Sequence, residues 1–224
     1  MTDHAQAFSL IVRQRSSLRA FLPTPVDPAT LTAIFEDAAR APSNCNTQPW
    51  IVHLVSGRRL EQLRQHLPAA FAAGEMSLDF PFDGKYDGIY RQRQHASAQA
   101  LYQTMGVVRE DKAARQQAFM RNFSFFDAPH VALLFLPEPF GLREAADLGM
   151  FAQTLMLAIT ARGLGSCPQT SLSFEADLLR AELGITPQHK LLFGISFGHP
   201  DPVAVVNSCE TERAAVADFV TFHD

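Results

Sequence analysis

Two segments in the first quarter of the chain carry side chains suited to binding a charged, polar small molecule. The first, residues 15–19, sets two arginines and two serine hydroxyls on one short piece of chain. Guanidinium groups donate charge-assisted hydrogen bonds worth about 1.5–3 kcal/mol each, so two of them could anchor a phosphate monoester. The spacing alone is weak, because Arg13, Arg15 and Arg19 could equally solvate the end of an N-terminal helix.

The second segment, residues 42–50, places four hydrogen-bonding side chains ahead of a Pro-Trp pair that leads into a strand. These side chains are Ser43, Asn44, Asn46 and Gln48. Hydroxyl and amide groups gathered in one loop suit a ligand ring with several polar edges. The alternative is an ordinary polar turn in which Trp50 anchors the core.

A third segment, residues 163–170, has the glycines of a phosphate-binding loop. It follows a helix instead of a strand and lacks a third glycine, so it fails the context of a dinucleotide-binding fingerprint. The other interpretation is a helix end, with Gly163 in the left-handed conformation, followed by a strand. Such a segment can still present backbone N–H groups to a ligand.

Two residues, Ser196 and Cys167, are candidate nucleophiles. Ser196 lies at the centre of a G-x-S-x-G pattern over residues 194–198. That pattern needs a strand-to-helix turn, and the prolines within residues 199–202 prevent a helix there, which argues against a serine hydrolase. Cys167 has no histidine or acidic partner that the sequence can assign to it, so an inert thiol is favoured.

Composition narrows the class of protein. With 224 residues, of which 47% are hydrophobic, the chain can bury one sizeable core. The net charge of −4 and the lack of a basic run argue against nucleic-acid binding, and no apolar stretch is long enough to span a membrane. The eight histidines and three cysteines form no ligand cluster, so we expect no metal site and no disulfide framework. No signal peptide is visible, and we expect a cytoplasmic protein.

Local patterns predict an α+β chain without regular βαβ alternation. Asp27 and Pro28 indicate a helix start, and the apolar run 131–136 indicates a central strand buried on both faces. The remaining predicted helices cover residues 60–67, 89–105, 111–122, 147–162 and 173–183, and the remaining strands cover 50–55 and 191–197.

The helix over residues 147–162 is apolar on nearly every side, which predicts burial on every side. In so small a chain, packing against a second subunit is an economical explanation. The tail from His199 onward carries Pro200 and Pro202 and is predicted to be an extended arm.

The order of these motifs resembles the nitroreductase family over nearly the whole chain. The resemblance lies in Arg15-Ser16-Ser17-x-Arg19-x-Phe21, in residues 41–50 and 163–169, in Gly198-His199-Pro200 and in Thr211-Glu212-Arg213. Residues 109–126 are most similar to the branch of nitrobenzoate-type nitroreductases. The resemblance implies one domain over residues 1–224 and an α+β homodimer with a central, mainly antiparallel sheet. It also implies that the partner's C-terminal arm, residues 199–224, extends each sheet.

The resemblance further implies two FMN molecules at the dimer interface, with NAD(P)H as electron donor. Arg15, Ser16 and Ser17 would contact the phosphate and ribityl chain, Arg19 would lie near the pyrimidine edge, and Arg213 would complete the phosphate site. The partner would contribute Pro42, Ser43, Asn46 and Gln48, and the wall beside the flavin N5 would comprise Pro168, Gln169 and Thr170. Glu210 departs from the family, whose tails often carry arginine there, so the tail's contact with phosphate depends on Arg213.

The implied activity is a two-step hydride transfer from NAD(P)H, through FMN, to a nitroaromatic or quinone-like acceptor. Residues 74–125 would form the acceptor site and its lid, and no side chain is assigned as a catalytic acid. The alternatives are a flavin-dependent dehydrogenase or dehalogenase on the same fold, and a flavin-binding dimer without efficient turnover.

Overall fold

The computed structural model of the chain describes residues 3–74 and 76–223. Within that range the helices are α1 (Asp3–Gln14), α2 (Pro28–Ala38), α3 (Gly57–Ala73), α4 (Gly88–Thr104), α5 (Lys112–Met120), α6 (Leu142–Thr160) and α7 (Ala176–Leu183). The strands are β1 (Ile51–Ser56), β2 (His130–Pro137), β3 (Gly165–Gln169) and β4 (His189–Gly198).

The four strands form one fully antiparallel sheet in the order β1-β2-β4-β3. Strand β2 is buried from His130 to Leu136, as predicted for a central strand. Its alternate side chains enter two hydrophobic clusters: Leu134 packs with α2 and α6, whereas Leu133 packs with α3 and α7. Helices therefore cover both faces of an antiparallel sheet, which confirms the α+β expectation.

The predicted start of α2 is confirmed in detail. Asp27 is extended (φ −65°, ψ 150°), and its carboxylate accepts a hydrogen bond of 2.9 Å from the backbone N–H of Thr30. Pro28 occupies the first turn, where its missing N–H costs nothing. Elsewhere the element types are right but some boundaries shift. The helix predicted from residue 173 begins at Ala176, because Thr170–Phe174 forms a 3₁₀ segment.

Helix α6 begins five residues before the predicted start and is not buried on every side within one chain. Its inner face, including Leu148, Leu155 and Ile159, is fully buried. A stripe at helical spacing stays open, with Met150 40% exposed and Gln153 exposed. Within the described residues no element packs over that stripe, so burial on every side stays a prediction that depends on the expected second subunit.

The surface segments after α3 and after β4 carry little of the core. Neither α4 nor α5 contains a buried residue. The tail is not extended throughout, since Val205–Ser208 and Val216–Asp218 are short 3₁₀ turns. Residue 75 of the predicted loop over 74–88 and residue 224 of the arm lie outside the described residues. Among the described helices, none has the length and apolar character needed to cross a membrane.

Candidate functional site

Residues 15–19 lie against the edge strand β3. The backbone N–H of Leu18 donates to the Ser166 carbonyl at 3.0 Å, and Ser17 forms a parallel bridge with the same residue. Gly165 permits this close approach, because a Cβ at that position would lie 2.5 Å from Leu18 Cδ1. We call the group Arg15, Ser17, Arg19, Ser166 and Arg213 the arginine cradle.

Asn207 ties the C-terminal tail to this cradle. Its side-chain oxygen accepts from the backbone N–H groups of Arg19 and Ala20 at 2.8 and 3.1 Å. Its amide group donates to the carbonyls of Ala20 and Asp201 at 2.8 and 3.1 Å. Sequence reasoning missed Asn207, since a contact across 188 residues leaves no local pattern.

The cradle concentrates positive charge. Burial lowers the pKa of Arg15, repulsion from Arg213 lowers it further, and Cys167 opposes the shift. Arg19 donates to the Ser17 carbonyl at 3.0 Å, and Arg213 donates only to oxygen atoms of the tail. Across residues 3–74 and 76–223, no carboxylate forms an ion pair with any of these three arginines. Two mutually repelling cations without an acidic partner make a site that an anion would stabilise.

The thiol of Cys167 lies beneath the cradle and is 2% exposed. Burial raises the pKa of the Cys167 thiol to about 11, although Arg19 and Arg15 oppose the rise. At neutral pH the thiol is therefore protonated and unreactive, as expected for an inert thiol.

The end of β3 alternates between exposed and buried residues. Pro168 and Thr170 are exposed, whereas Gln169 is 3% exposed. The Gln169 amide group donates to the Asn122 carbonyl at 2.9 Å, and its oxygen accepts from the Ser196 hydroxyl. These two hydrogen bonds hold the side chain of Gln169 in the interior. The predicted ligand contact at Gln169 can therefore involve only its backbone.

The same network excludes the serine hydrolase. Ser196 lies inside strand β4, is 0% exposed and donates its proton to Gln169. A nucleophilic serine must be exposed at the turn between a strand and a helix. Two other hydroxyls, those of Ser166 on β3 and Ser171 shortly after it, are buried and have no hydrogen-bond partner among the residues that the structure describes. Buried polar groups normally have a partner, so these two are candidates for a ligand contact.

Residues 42–48 form a strained loop, here called the polar loop. Cys45, Asn46 and Gln48 all have φ between 48° and 56°, which is uncommon for residues other than glycine. Each such residue costs on the order of 1 kcal/mol, and clusters of them are typical of functional sites. Pro42, Asn46 and Gln48 are exposed, and Ser43 is half-buried.

Internal contacts hold the polar loop in this conformation. The Ser43 hydroxyl oxygen accepts from the Gln48 N–H at 2.9 Å, and the Asp147 carboxylate accepts from the Asn44 N–H at 3.1 Å. Trp50 stacks on Phe151 with ring centroids 4.9 Å apart. Sequence reasoning placed Trp50 correctly as an anchor but gave no role to Asp147, which is 4% exposed on α6.

The cradle and the polar loop do not meet within one chain. The loop contacts Asp147 near the start of α6, whereas β3 follows shortly after the end of α6 at Thr160. With a rise of 1.5 Å per residue, these two parts of the helix are about 20 Å apart.

A cavity of about 80 Å³ adjoins the cradle at Arg19. Tyr102, Arg121, Asn122 and Phe126 also line it. Sequence reasoning used residues 109–126 only as a marker of the family branch and assigned no role to Arg121. The structure adds Arg121, which lies over Phe126 and pairs with Asp127 at 3.3 Å, to the surroundings of Arg19.

The loop before α4 is fixed to the far end of the sheet. Asp79 accepts from Arg180 and from the Leu191 backbone N–H, the latter at 2.7 Å. Ser77 donates its backbone N–H to the Phe174 carbonyl at 2.8 Å. The described part of this loop therefore has a defined position beside Thr170–Phe174, close to the wall formed by β3.

The sequence model of the Nitroreductase family matches residues 12–199. The chain belongs to the nitroreductase family. Nitroreductase NfnB of Mycolicibacterium smegmatis is 43% identical over 221 residues, spanning 98% of this chain and 94% of that protein. A 4-nitrobenzoate reductase of Pseudomonas putida is 34% identical over 220 residues, spanning 96% of this chain and 95% of that protein.

The crystal structure of the FMN-dependent nitroreductase NfnB from Mycobacterium smegmatis, in complex with NADPH, superposes with a TM-score of 0.96. The two chains are 43% identical, and the match covers 99% of this chain and 100% of the other. The family and its fold are thereby confirmed, and the 4-nitrobenzoate reductase supports the expected branch.

Proposed function

We propose that this nitroreductase-family chain is an FMN-dependent oxidoreductase that takes a hydride from NADPH and reduces a nitroaromatic acceptor. The observation that carries the proposal is the arginine cradle, in which Arg15 and Arg213 repel each other without an acidic partner. The support from relatives is that NfnB, 43% identical, is described as FMN-dependent and was crystallised with NADPH.

The residues of the cradle fit FMN. A phosphate monoester carries close to two negative charges, which Arg15 and Arg213 would neutralise. The unpartnered hydroxyls of Ser166 and Ser171 suit the polar ribityl chain and ring edge. We keep Ser16, Ser17 and Arg19 as further contacts, and Arg19 would supply positive charge at the pyrimidine edge.

The other half of the site is proposed to come from a second copy of the chain. The polar loop is about 20 Å from the cradle along α6, too far for one flavin ring to contact both from one chain. The open stripe of α6 around Met150 supplies an apolar surface for such a partner. Within the described residues, β1 also has one unpaired edge, to which a partner's tail could add a strand.

The protein's own contribution is binding, orientation and charge. FMN, when bound, supplies the redox chemistry by accepting a hydride from the donor and passing it to the acceptor. We propose that donor and acceptor take turns against the exposed residues Pro168 and Thr170, in a ping-pong order. We assign no side chain as a catalytic acid and propose that the proton comes from water.

The test begins with the visible spectrum and the mass of any chromophore released from the purified protein. We expect FMN in a near one-to-one ratio with the chain, bleaching by NADPH without oxygen, and recovery of colour with 4-nitrobenzoate. Parallel lines in double-reciprocal plots would support the ping-pong order. A colourless protein that does not take up added FMN would overturn the proposal. Bound FMN that NADPH does not bleach would instead indicate a flavin-binding protein.

A further inference from the structure

A large cleft separates the end of α4 from α5. It has a volume of about 750 Å³, within the range of small-molecule sites. The polar and aromatic side chains that line it include His95, Gln99, Tyr102, Gln103, Arg109 and Arg115. We call it the α4–α5 cleft; none of the residues assigned above to the cofactor lines it.

Arg115 is the most unusual group in this cleft. Its Nη1 donates to the Arg109 carbonyl at 3.0 Å, and its guanidinium lies 5.6 Å from the centre of the Tyr102 ring. Its Nε is buried without a hydrogen-bond partner. In the described part of the chain, neither Arg115 nor Arg109 has an ion pair, and Glu110 is the one acid in the lining. Two unpaired guanidinium groups beside an aromatic ring suit a ligand that carries both an anion and a flat ring.

The position of the cleft links it to the cofactor site. Tyr102 lines both this cleft and the small cavity at Arg19. A ligand long enough to pass Tyr102 could therefore have one end beside the flavin and the other near Arg115. A dinucleotide has that length, whereas a one-ring acceptor does not.

We propose that the α4–α5 cleft binds the phosphorylated adenosine end of the nicotinamide donor, with Arg115 and Arg109 facing its phosphate groups. The inference rests on the proposed function and adds a residue basis for a preference between NADPH and NADH. The cleft's two arginines, set in a lining of both polar and apolar residues, favour a ligand that carries phosphate groups over an uncharged nitroaromatic ring. The sequence contains no dinucleotide-binding fingerprint that could bind this end of the donor elsewhere in the chain.

Direct binding gives the first test, without turnover. Isothermal calorimetry would measure adenosine 2′,5′-bisphosphate binding to the flavin-loaded protein. We expect Arg115→Gln to weaken binding about tenfold to a hundredfold, the effect of losing one charge-assisted phosphate contact. Glu110→Gln should tighten binding severalfold, because it removes a negative charge facing the phosphate. A general structural disturbance would not produce this pair of opposite effects.

Arg93→Gln is the matched control, since Arg93 is exposed on α4 and does not line the cleft. It should leave binding unchanged. Equal binding by wild type and Arg115→Gln, or no binding by wild type, would overturn the proposal. If Arg115→Gln disturbs the fold, as judged by FMN content and melting temperature, Arg109→Gln replaces it with the same expectation.

Steady-state kinetics give the second test. Arg115→Gln should raise the KM for NADPH at least tenfold, change the KM for NADH much less, and leave kcat nearly unchanged. A higher KM for 4-nitrobenzoate with an unchanged KM for NADPH would assign the cleft to the acceptor and overturn the inference. Failure of the proposed function would look different, because neither nucleotide would then reduce the protein.

Discussion

The arginine cradle and the polar loop differ in how they are prepared for a ligand. In the cradle the side chains of Arg15 and Arg213 repel each other, and the Ser166 hydroxyl is buried without a hydrogen-bond partner among the described residues. The polar loop has a strained backbone. Its exposed amide side chains, including that of Asn46, belong to residues with a left-handed φ, and the Asp147 carboxylate holds the loop by a hydrogen bond.

Under the proposed function, the two regions are the two halves of one flavin site, each prepared for binding in a different way. The free energy of unfavourable charge and backbone strain must be offset by packing elsewhere, and ligand binding can then release part of it. Since the parts of α6 next to the two regions are about 20 Å apart, the proposed function needs a second chain to bring a cradle and a loop together.

Removing both charges of the cradle should have the largest effect. For Arg15→Ala combined with Arg213→Ala, we expect FMN affinity to fall about a hundredfold to ten-thousandfold, the sum of two charge-assisted contacts. Fluorescence titration with FMN measures this directly. The melting temperature of the flavin-free protein should not fall, because the repulsion is relieved. Arg143→Ala, an exposed arginine at the start of α6, is the control, and unchanged FMN affinity in the double variant would refute the phosphate assignment.

Mixing two defective variants should restore flavin binding in part. One is the double cradle variant, and the other is Ser43→Ala, which removes the oxygen that accepts from the Gln48 N–H. If each site combines one chain's cradle with the other chain's loop, every heterodimer has one intact site. Flavin content after refolding the mixture should therefore exceed that of either variant alone. No gain in verified heterodimers would mean that each site lies within a single chain.

Adding a methyl group at Gly165, beneath the cradle, should have a moderate effect on FMN affinity. Gly165→Ala places a methyl group 2.5 Å from Leu18 Cδ1 and 3.1 Å from Pro200 Cγ, so residues 15–19 must shift. We expect FMN affinity to fall by about tenfold or less, since Leu18 has a flexible side chain. The control is Gly141→Ala, because a Cβ at Gly141 meets nothing within 4 Å. Equal FMN affinity in the two variants would show that Leu18 adapts without moving the cradle.

The free energy of unfolding should decrease slightly at acid pH. His130 is 3% exposed, and its Nε2 accepts from the Val26 N–H at 2.9 Å, just before α2. Burial lowers the pKa of His130, and His199 lowers it further. The neutral form is thus favoured on folding, so this contribution is complete above the unfolded pKa of about 6.5 and is lost as the pH falls below it.

The melting temperature between pH 8 and pH 5 tests this effect. It should decrease towards acid, and His130→Gln should reduce the slope. His199→Gln removes the repulsion, which brings the folded pKa of His130 closer to its unfolded value, so the decrease should be smaller. An identical slope in wild type and His130→Gln would remove His130 from the explanation. His53, whose pKa is lowered by burial and by His189, would contribute in the same direction.

Much of the fold could be predicted because its signals are local. The N-cap at Asp27 and the left-handed Gly163, with φ of 70°, involve neighbours in sequence. The apolar run of β2 indicated a strand buried on both faces. The boundaries of α6 and α7 were less accurate, since the hydrogen bond from the Gly141 N–H to the Glu144 carboxylate and the 3₁₀ turn at Thr170–Phe174 depend on backbone geometry that composition does not reveal.

The residues of the candidate site likewise fall into those that the sequence indicates and those that depend on contacts between distant parts of the chain. Arg15, Arg19 and the polar residues of the loop could be identified from their types and from the family resemblance. Asn207 and Asp147 could not, because each acts on a backbone N–H more than 100 residues away. Gln169 matched the family motif, yet its side chain turns inward to Asn122 and Ser196.

Local patterns of periodicity, capping and side-chain chemistry were enough to predict an α+β chain and the residue types for holding a phosphate, and the order of motifs was enough to indicate the family and its antiparallel sheet. The three-dimensional structure was needed to show which arginines share one electrostatic environment, which hydroxyls lack a partner among the described residues, and that the cradle and the polar loop lie near opposite ends of α6. Those properties arise from distances between residues far apart in the chain, and pairwise charge and hydrogen-bond energies depend steeply on such distances.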